Sequence, residues 1–160
     1  MKIEVSKHIS WDEATKSQTA IRHGINNDPM SIEVVFNMQS VANHVFERVR
    51  THFGNRPIAI TSFFRCTELN HMIGGSTRSQ HIKGEAIDID ADVFGFHDLT
   101  NRLIFEYIRD ELTFDQLIME YPTKYGNPAW IHVSFRREGV NRMQVLRADK
   151  KHGRTQYTRL

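Results

Sequence analysis

From residue 31 onward, apolar side chains return at helical intervals. Ile32, Val35, Phe36, Val41, Val45, Phe46 and Val49 fall near one face of a helix, and the pattern predicts a long helix over residues 30–52. Gly54 and Pro57 follow, as expected past a helix end. Leu99, Leu103, Ile104, Tyr107, Ile108 and Leu112 predict a second amphipathic helix over 99–112. Nearer the start, Ser10 and Glu13 have the spacing of a capping box, which begins a short helix running to about Ala20. Gly24, Asn26, Asn27, Asp28 and Pro29 then make a turn-rich loop. A further short helix is expected over 67–73, ended by Gly74 and Gly75.

The strand signals are short apolar or β-branched runs. They predict strands over 58–62, 86–89, 114–120 and 130–135, with a last one over 143–146. Beyond Lys150 the chain turns basic and polar, which reads as a loose tail. Helices come first and strands mostly later, without regular βαβ alternation. That order predicts an α+β fold with an antiparallel sheet flanked by helices. No repeat or linker interrupts the pattern, so one domain is expected over 1–150, followed by the basic tail 151–160.

Composition narrows the class of partner. A net charge of +2 is too mild for nucleic acid as the main partner. Cys66 is the only cysteine, so no intrachain disulfide can form. No apolar run is long enough to span a membrane. MKIEVSKHISWDE has no apolar h-region, so the expectation is synthesis in the cytoplasm without a signal peptide. The oligomeric state stays open.

The chemistry concentrates in two stretches. SQHIKGEAID, at 79–88, sets His81 and Asp88 either side of Gly84, whose missing side chain allows a tight reversal. AWIHVSF, at 129–135, places Trp130, His132 and Ser134 on one strand face and Ile131, Val133 and Phe135 on the other. Two imidazoles and one carboxylate around an open fourth position describe a catalytic zinc site. Spacing alone leaves the other reading open: with nine histidines, a His/Asp pair at short range also arises on an ordinary surface.

The sequence over 79–88 fits the S-x-H-x-x-G-x-A-x-D signature throughout, and so resembles the zinc D-alanyl-D-alanine carboxypeptidase-type peptidases. That group includes phage L-alanyl-D-glutamate endolysins and shares the hedgehog/DD-peptidase fold. Thr61-Ser62-Phe63-Phe64-Arg65 is similar to the family's S-G-Y-R segment, and Trp130-Ile131-His132-Val133-Ser134 to its W-x-H-x-S strand. The resemblance covers roughly residues 8–135 and implies one catalytic Zn2+ held by His81, Asp88 and His132. It implies that Arg65 stabilises an oxyanion, with a surface ion pair as the other reading, and that Ser79 binds substrate or holds the metal loop. Ala129 stands where several members carry an E-x-x-H glutamate, so the general base is assigned instead to Glu120, on an expected neighbouring strand.

The implied substrates are peptidoglycan stem peptides or muropeptides, cut by a carboxypeptidase or an endopeptidase. A phage or prophage protein, reaching the wall by lysis or in a virion, would suit this reading. The competing reading, kept open by Ala129, is a non-catalytic hedgehog-like zinc domain that binds cell wall or a protein partner.

Overall fold

A computed structural model describes residues 4–160. The first elements are a small antiparallel pair, β1 (Glu4–Ser6) and β2 (Ile9–Ser10), which the sequence pattern did not suggest. The capping box forms: Ser10 Oγ accepts from Glu13 N, and Glu13 reaches back to Ser10 N at 3.0 Å. It opens α1 (Trp11–Thr15). The single helix expected up to Ala20 is divided, because Lys16 is extended and Ser17 caps a new helix, α2 (Gln18–His23), by accepting from Ala20 N. Asn27 Nδ2 donates to the carbonyl of Thr15 at this break.

The long helix is present as α3 (Ile32–Val41), a π-helical turn (Ala42–Phe46) and α4 (Glu47–His52). Through the π turn the buried row runs Met38, Val41, Ala42, Val45, Phe46, Val49. Next come β3 (Ala59–Ser62), α5 (Thr67–Met72), β4 (Ala86–Asp90), α6 (Asn101–Glu111), β5 (Gln116–Glu120) and β6 (Trp130–Ser134). Cys66 has a structural use here: its Sγ caps α5 by accepting from Leu69 N.

The α+β expectation holds, with two refinements. Six strands form one sheet in the order β3-β4-β6-β5-β7-β8, where β7 is Gln144–Lys151 and β8 is Arg154–Arg159. The sheet is antiparallel except where β5 runs parallel to β7. The loose tail expected after Lys150 is instead the second arm of a hairpin. His152 and Gly153, both at positive φ, make its turn, and β8 pairs with β7 from Leu146–Arg159 to Lys151–Arg154. The six residues of β8 are exposed, so their polar composition reflects an edge strand.

Side-chain alternation divides the sheet into two faces. Ile87, Ile89, Ile131, Val133 and Leu117 are fully buried in the core with α3, α4 and α6. Asp88, His132 and Ile118 are paired across three strands and point to the opposite face. Among the described residues, no helix is long and apolar enough to cross a membrane.

Candidate metal centre and cleft

His81 precedes a tight reversal. Lys83 N donates to Gln80 O at 3.1 Å and Gly84 N to His81 O at 3.2 Å, with Gly84 at φ +70°. No side chain fits at that glycine: a Cβ there would lie 2.7 Å from both Val34 O and Met38 Cγ. The reversal presses against α3 and returns the chain into β4, where Asp88 sits opposite His132 in register. Three residues distant in sequence therefore share one spot.

Their donor atoms converge. His81 Nε2 is 3.3 Å from His132 Nδ1 and 3.3 Å from Asp88 Oδ1, and His132 Nδ1 is 2.8 Å from Asp88 Oδ1. A tetrahedral site with ligand bonds of ~2.0–2.1 Å sets its donors about 3.3 Å apart, so this triad fits such an ion. The tautomer suits it too. His81 Nδ1 donates to Phe63 O at 2.5 Å, which leaves the Nε2 lone pair directed at the cluster. Among the described residues, this is the group of His, Cys, Asp and Glu side chains that could hold a metal ion.

The electrostatics agree. Burial favours the neutral form of His81 and lowers its pKa, against the opposing pull of Asp88. Burial alone would raise the Asp88 carboxyl. The imidazoles, His81 foremost, more than offset this and hold it well below the usual carboxylate range. An ionised Asp88 carboxylate beside a neutral His81 imidazole offers lone pairs to a divalent cation.

The triad opens into a cleft of about 1000 Å³ lined by residues from several elements. Arg65, Ser79 and Glu120 all line it with the triad, so the structure brings the sequence-predicted site residues together. Arg65 forms no ion pair among the described residues, and its buried Nε has no hydrogen-bond partner. Burial lowers its pKa, with the Asp88 carboxylate acting in the other direction. Glu120 is 7% exposed at the end of β5, opposite Trp130. Burial first, then Asp88, pushes its pKa up to about 7, against the opposing effect of His132.

The sequence reading missed part of the wall. The cross-strand row Trp130–Glu120–Ala148–Tyr157 runs over four strands. Ala148 is small, and Tyr157 lines the cleft beside Glu120. Arg136 and Arg142 line it as well. Asp90 and Asp92, just past Asp88, bond to the scaffold. Asp90 accepts from Asn101 Nδ2, Asp92 accepts from Asn101 N and Asn127 Nδ2, and they tie α6 and the 121–129 loop to the end of β4.

Two imidazoles and a carboxylate at an open cleft are a donor set that metal-dependent hydrolases use. The sequence matches the family model described as Peptidase M15 over residues 7–116, and the chain belongs to that family. The matched residues include Arg65, Ser79, His81 and Asp88 and stop short of Glu120 and His132. No curated protein matches the chain.

Proposed function

We propose that the protein is a zinc peptidase that hydrolyses peptide bonds in peptidoglycan stem peptides or cross-links. The observation that carries this reading is the convergence of His81 Nε2, His132 Nδ1 and Asp88 Oδ1 within 3.3 Å, in a cleft that also holds Glu120. Family membership supports the peptidase activity. The peptidoglycan substrate rests on the resemblance of the SQHIKGEAID and WIHVS segments to peptidases of that class.

In this reading His81, Asp88 and His132 hold one Zn2+. When bound, zinc polarises the scissile carbonyl and brings a water's pKa down toward ~7. Glu120 takes a proton from the attacking water and returns it to the leaving amine. Without metal its carboxyl pKa is raised to about 7, chiefly by burial, so it holds a proton more readily than an exposed glutamate. Arg65 has a buried Nε–H without a partner and a positive charge, which stabilise negative charge developing on the carbonyl oxygen. Ser79 contacts substrate at the rim of the cleft. Glu120 takes the place of the glutamate that Ala129 lacks, which favours a catalytic domain over a purely binding one.

The test is direct. The zinc-loaded protein is incubated with purified muropeptides, and products are read by mass spectrometry and by new amino groups. The expected result is one defined cleavage that Glu120→Gln abolishes while zinc stays bound. If no new amino groups appear, or if Glu120→Gln cuts as well as the wild type, the proposal fails.

A further inference from the structure

The catalytic reading uses the middle of the cleft and leaves one end unassigned. Arg136 and Arg142 line that end, and both are tied to Asp115, which is fully buried. Arg142 donates to its carboxylate through Nε at 2.9 Å and Nη2 at 2.6 Å, while Arg136 Nε lies 3.2 Å from it. Arg142 Nη1 and both Nη atoms of Arg136 have no partner among the described residues, and the two side chains are 45% and 39% exposed. Lys83 is a further cation of the lining, which also holds Arg65 and Arg78. The carboxylates here are Asp115 and Glu85, the latter accepting from Gln80 at 3.2 Å, so positive charge is in excess. Gln116, neutral, lines the cleft two residues along β5 from Ile118, the partner of His132, and donates to Gln144 at 2.8 Å.

Guanidinium groups already held by a buried carboxylate lose little freedom on binding, and their free N–H pairs match a carboxylate in geometry. Distance decides which carboxylate. Arg136 lies four residues beyond His132, roughly 13 Å of extended chain. Held to Asp115 through Nε, Arg136 does not turn its full reach of about 6 Å toward the triad, so after a hydrogen bond of about 3 Å roughly 7 Å or more remains, or two residues of extended peptide. The terminal carboxylate of a carboxypeptidase substrate stands only one residue, about 3.5 Å, from the scissile carbonyl.

We propose that Arg136 and Arg142 form a carboxylate subsite, which holds an acidic group of the peptide two or more residues from the scissile bond. The cleft then selects an interior bond of an acidic peptide over its last bond. This inference rests on the peptidase reading of the same cleft.

The test uses three forms of one purified stem peptide: all carboxylates free, interior carboxylates amidated, and only the C-terminal carboxylate amidated. For the zinc-loaded wild type, interior amidation is expected to raise KM about tenfold or more, the scale of one charge-assisted hydrogen bond, with kcat little changed. C-terminal amidation is expected to have a small effect. Arg136→Gln, which keeps the Arg142–Asp115 fork, shrinks the ratio of kcat/KM between free and interior-amidated peptides toward one, and Arg136→Lys restores part of it. Equal kcat/KM on all three peptides, or an unchanged ratio in Arg136→Gln and Arg142→Gln, overturns the subsite. Dependence on the C-terminal carboxylate alone overturns its placement. Labelled versions of the same peptides bound to the zinc-loaded Glu120→Gln protein give a second readout by anisotropy. If the wild type cuts none of them, the peptidase reading fails, while a binding preference for interior carboxylates that Arg136→Gln removes still upholds the subsite. No such preference overturns it.

Discussion

His81 Nδ1 donates to the carbonyl oxygen of Phe63 at 2.5 Å, and this bond determines which nitrogen faces Asp88 and His132. Phe63 immediately follows β3, whose Ser62 pairs with Asp88. One backbone carbonyl therefore orients a donor supplied by a distant turn. Arg65 N donates to His81 O at 3.3 Å, so the same two segments are tied a second time.

The proposed ligand set predicts one zinc per chain. His81→Ala and Asp88→Asn each remove the bound metal, measured by elemental analysis after dialysis, and reduce peptide hydrolysis to background. Zinc at 100 times its dissociation constant stabilises the wild type by about 2.7 kcal/mol, and a chelator reverses this. The melting temperature of His81→Ala does not respond to zinc. Full zinc occupancy in either variant would sink the ligand assignment.

Glu120 sets the acid side of the pH profile. Its pKa is raised to about 7, chiefly by burial, and a general base must be ionised. Activity falls as pH drops below that region, and bound zinc moves the midpoint lower because a cation favours the carboxylate. Glu120→Gln removes the limb and lowers kcat by about 100- to 10,000-fold. Stability of the metal-free protein runs the opposite way. A carboxyl whose folded pKa is raised stabilises fully below its unfolded value of ~4.3 and loses that contribution as pH rises through 7. The melting temperature of wild type relative to Glu120→Gln is expected to fall across that window. A flat difference would remove the pKa argument for Glu120.

Much of this was legible because periodicity reports burial. Val41, Val45, Phe46 and Val49, then Leu99, Ile104, Ile108 and Leu112, and the run Ile131, Val133 lie in the core as their spacing implied, whereas Ile32, Phe36 and Leu103 are exposed. His132 and Asp88 alternate with those apolar residues, so placing the core face also placed the site face. Other features depend on contacts that spacing does not encode. The break at Lys16 arises because Ser17 bonds backbone ahead of it, and the π turn at Ala42–Phe46 leaves no mark in the apolar spacing. The hairpin β7–β8 did leave a signal: Gly153 after His152, then Thr155 and Tyr157 in alternation with polar residues. Its basic composition outweighed that signal, since an exposed edge strand and a loose tail share a composition. Arg136 and Arg142 gave none, because their place in the cleft depends on Asp115 and on the parallel pairing of β5 with β7.

Asp115 predicts acid sensitivity. Burial raises its pKa, but the hydrogen bonds from Arg142 outweigh that and hold the carboxyl below its ordinary value. A depressed carboxyl contributes stability above its unfolded pKa of ~3.9 and loses it as pH falls through the folded value. Asp115→Asn is expected to cost about 2 kcal/mol at pH 7 by urea denaturation, since it leaves buried donors poorly matched. The difference from wild type narrows from about pH 4 downward, as the unfolded carboxyl takes up its proton, and closes once the folded carboxyl is protonated too. A constant difference from pH 3 to 7 would show that charge is not the cause.

Gly84 and Gly95 make a matched pair, because both hold nearly the same left-handed backbone, φ +70° and +66°. Any residue with a Cβ loses roughly 1 kcal/mol in that conformation. At Gly95 nothing lies within 4 Å of an added Cβ, so Gly95→Ala is expected to cost about that much and leave zinc binding intact. At Gly84 the Cβ would also meet Val34 O and Met38 Cγ at 2.7 Å, and the first of these is backbone that cannot swing away. Overpacking of this kind adds about 1–3 kcal/mol. Gly84→Ala is therefore expected to cost about 2–4 kcal/mol. Because the reversal at Gly84 carries His81, it also weakens zinc binding, which calorimetric titration measures. Equal losses in the two variants would mean that backbone conformation alone, and not the close approach to α3, fixes the position of His81.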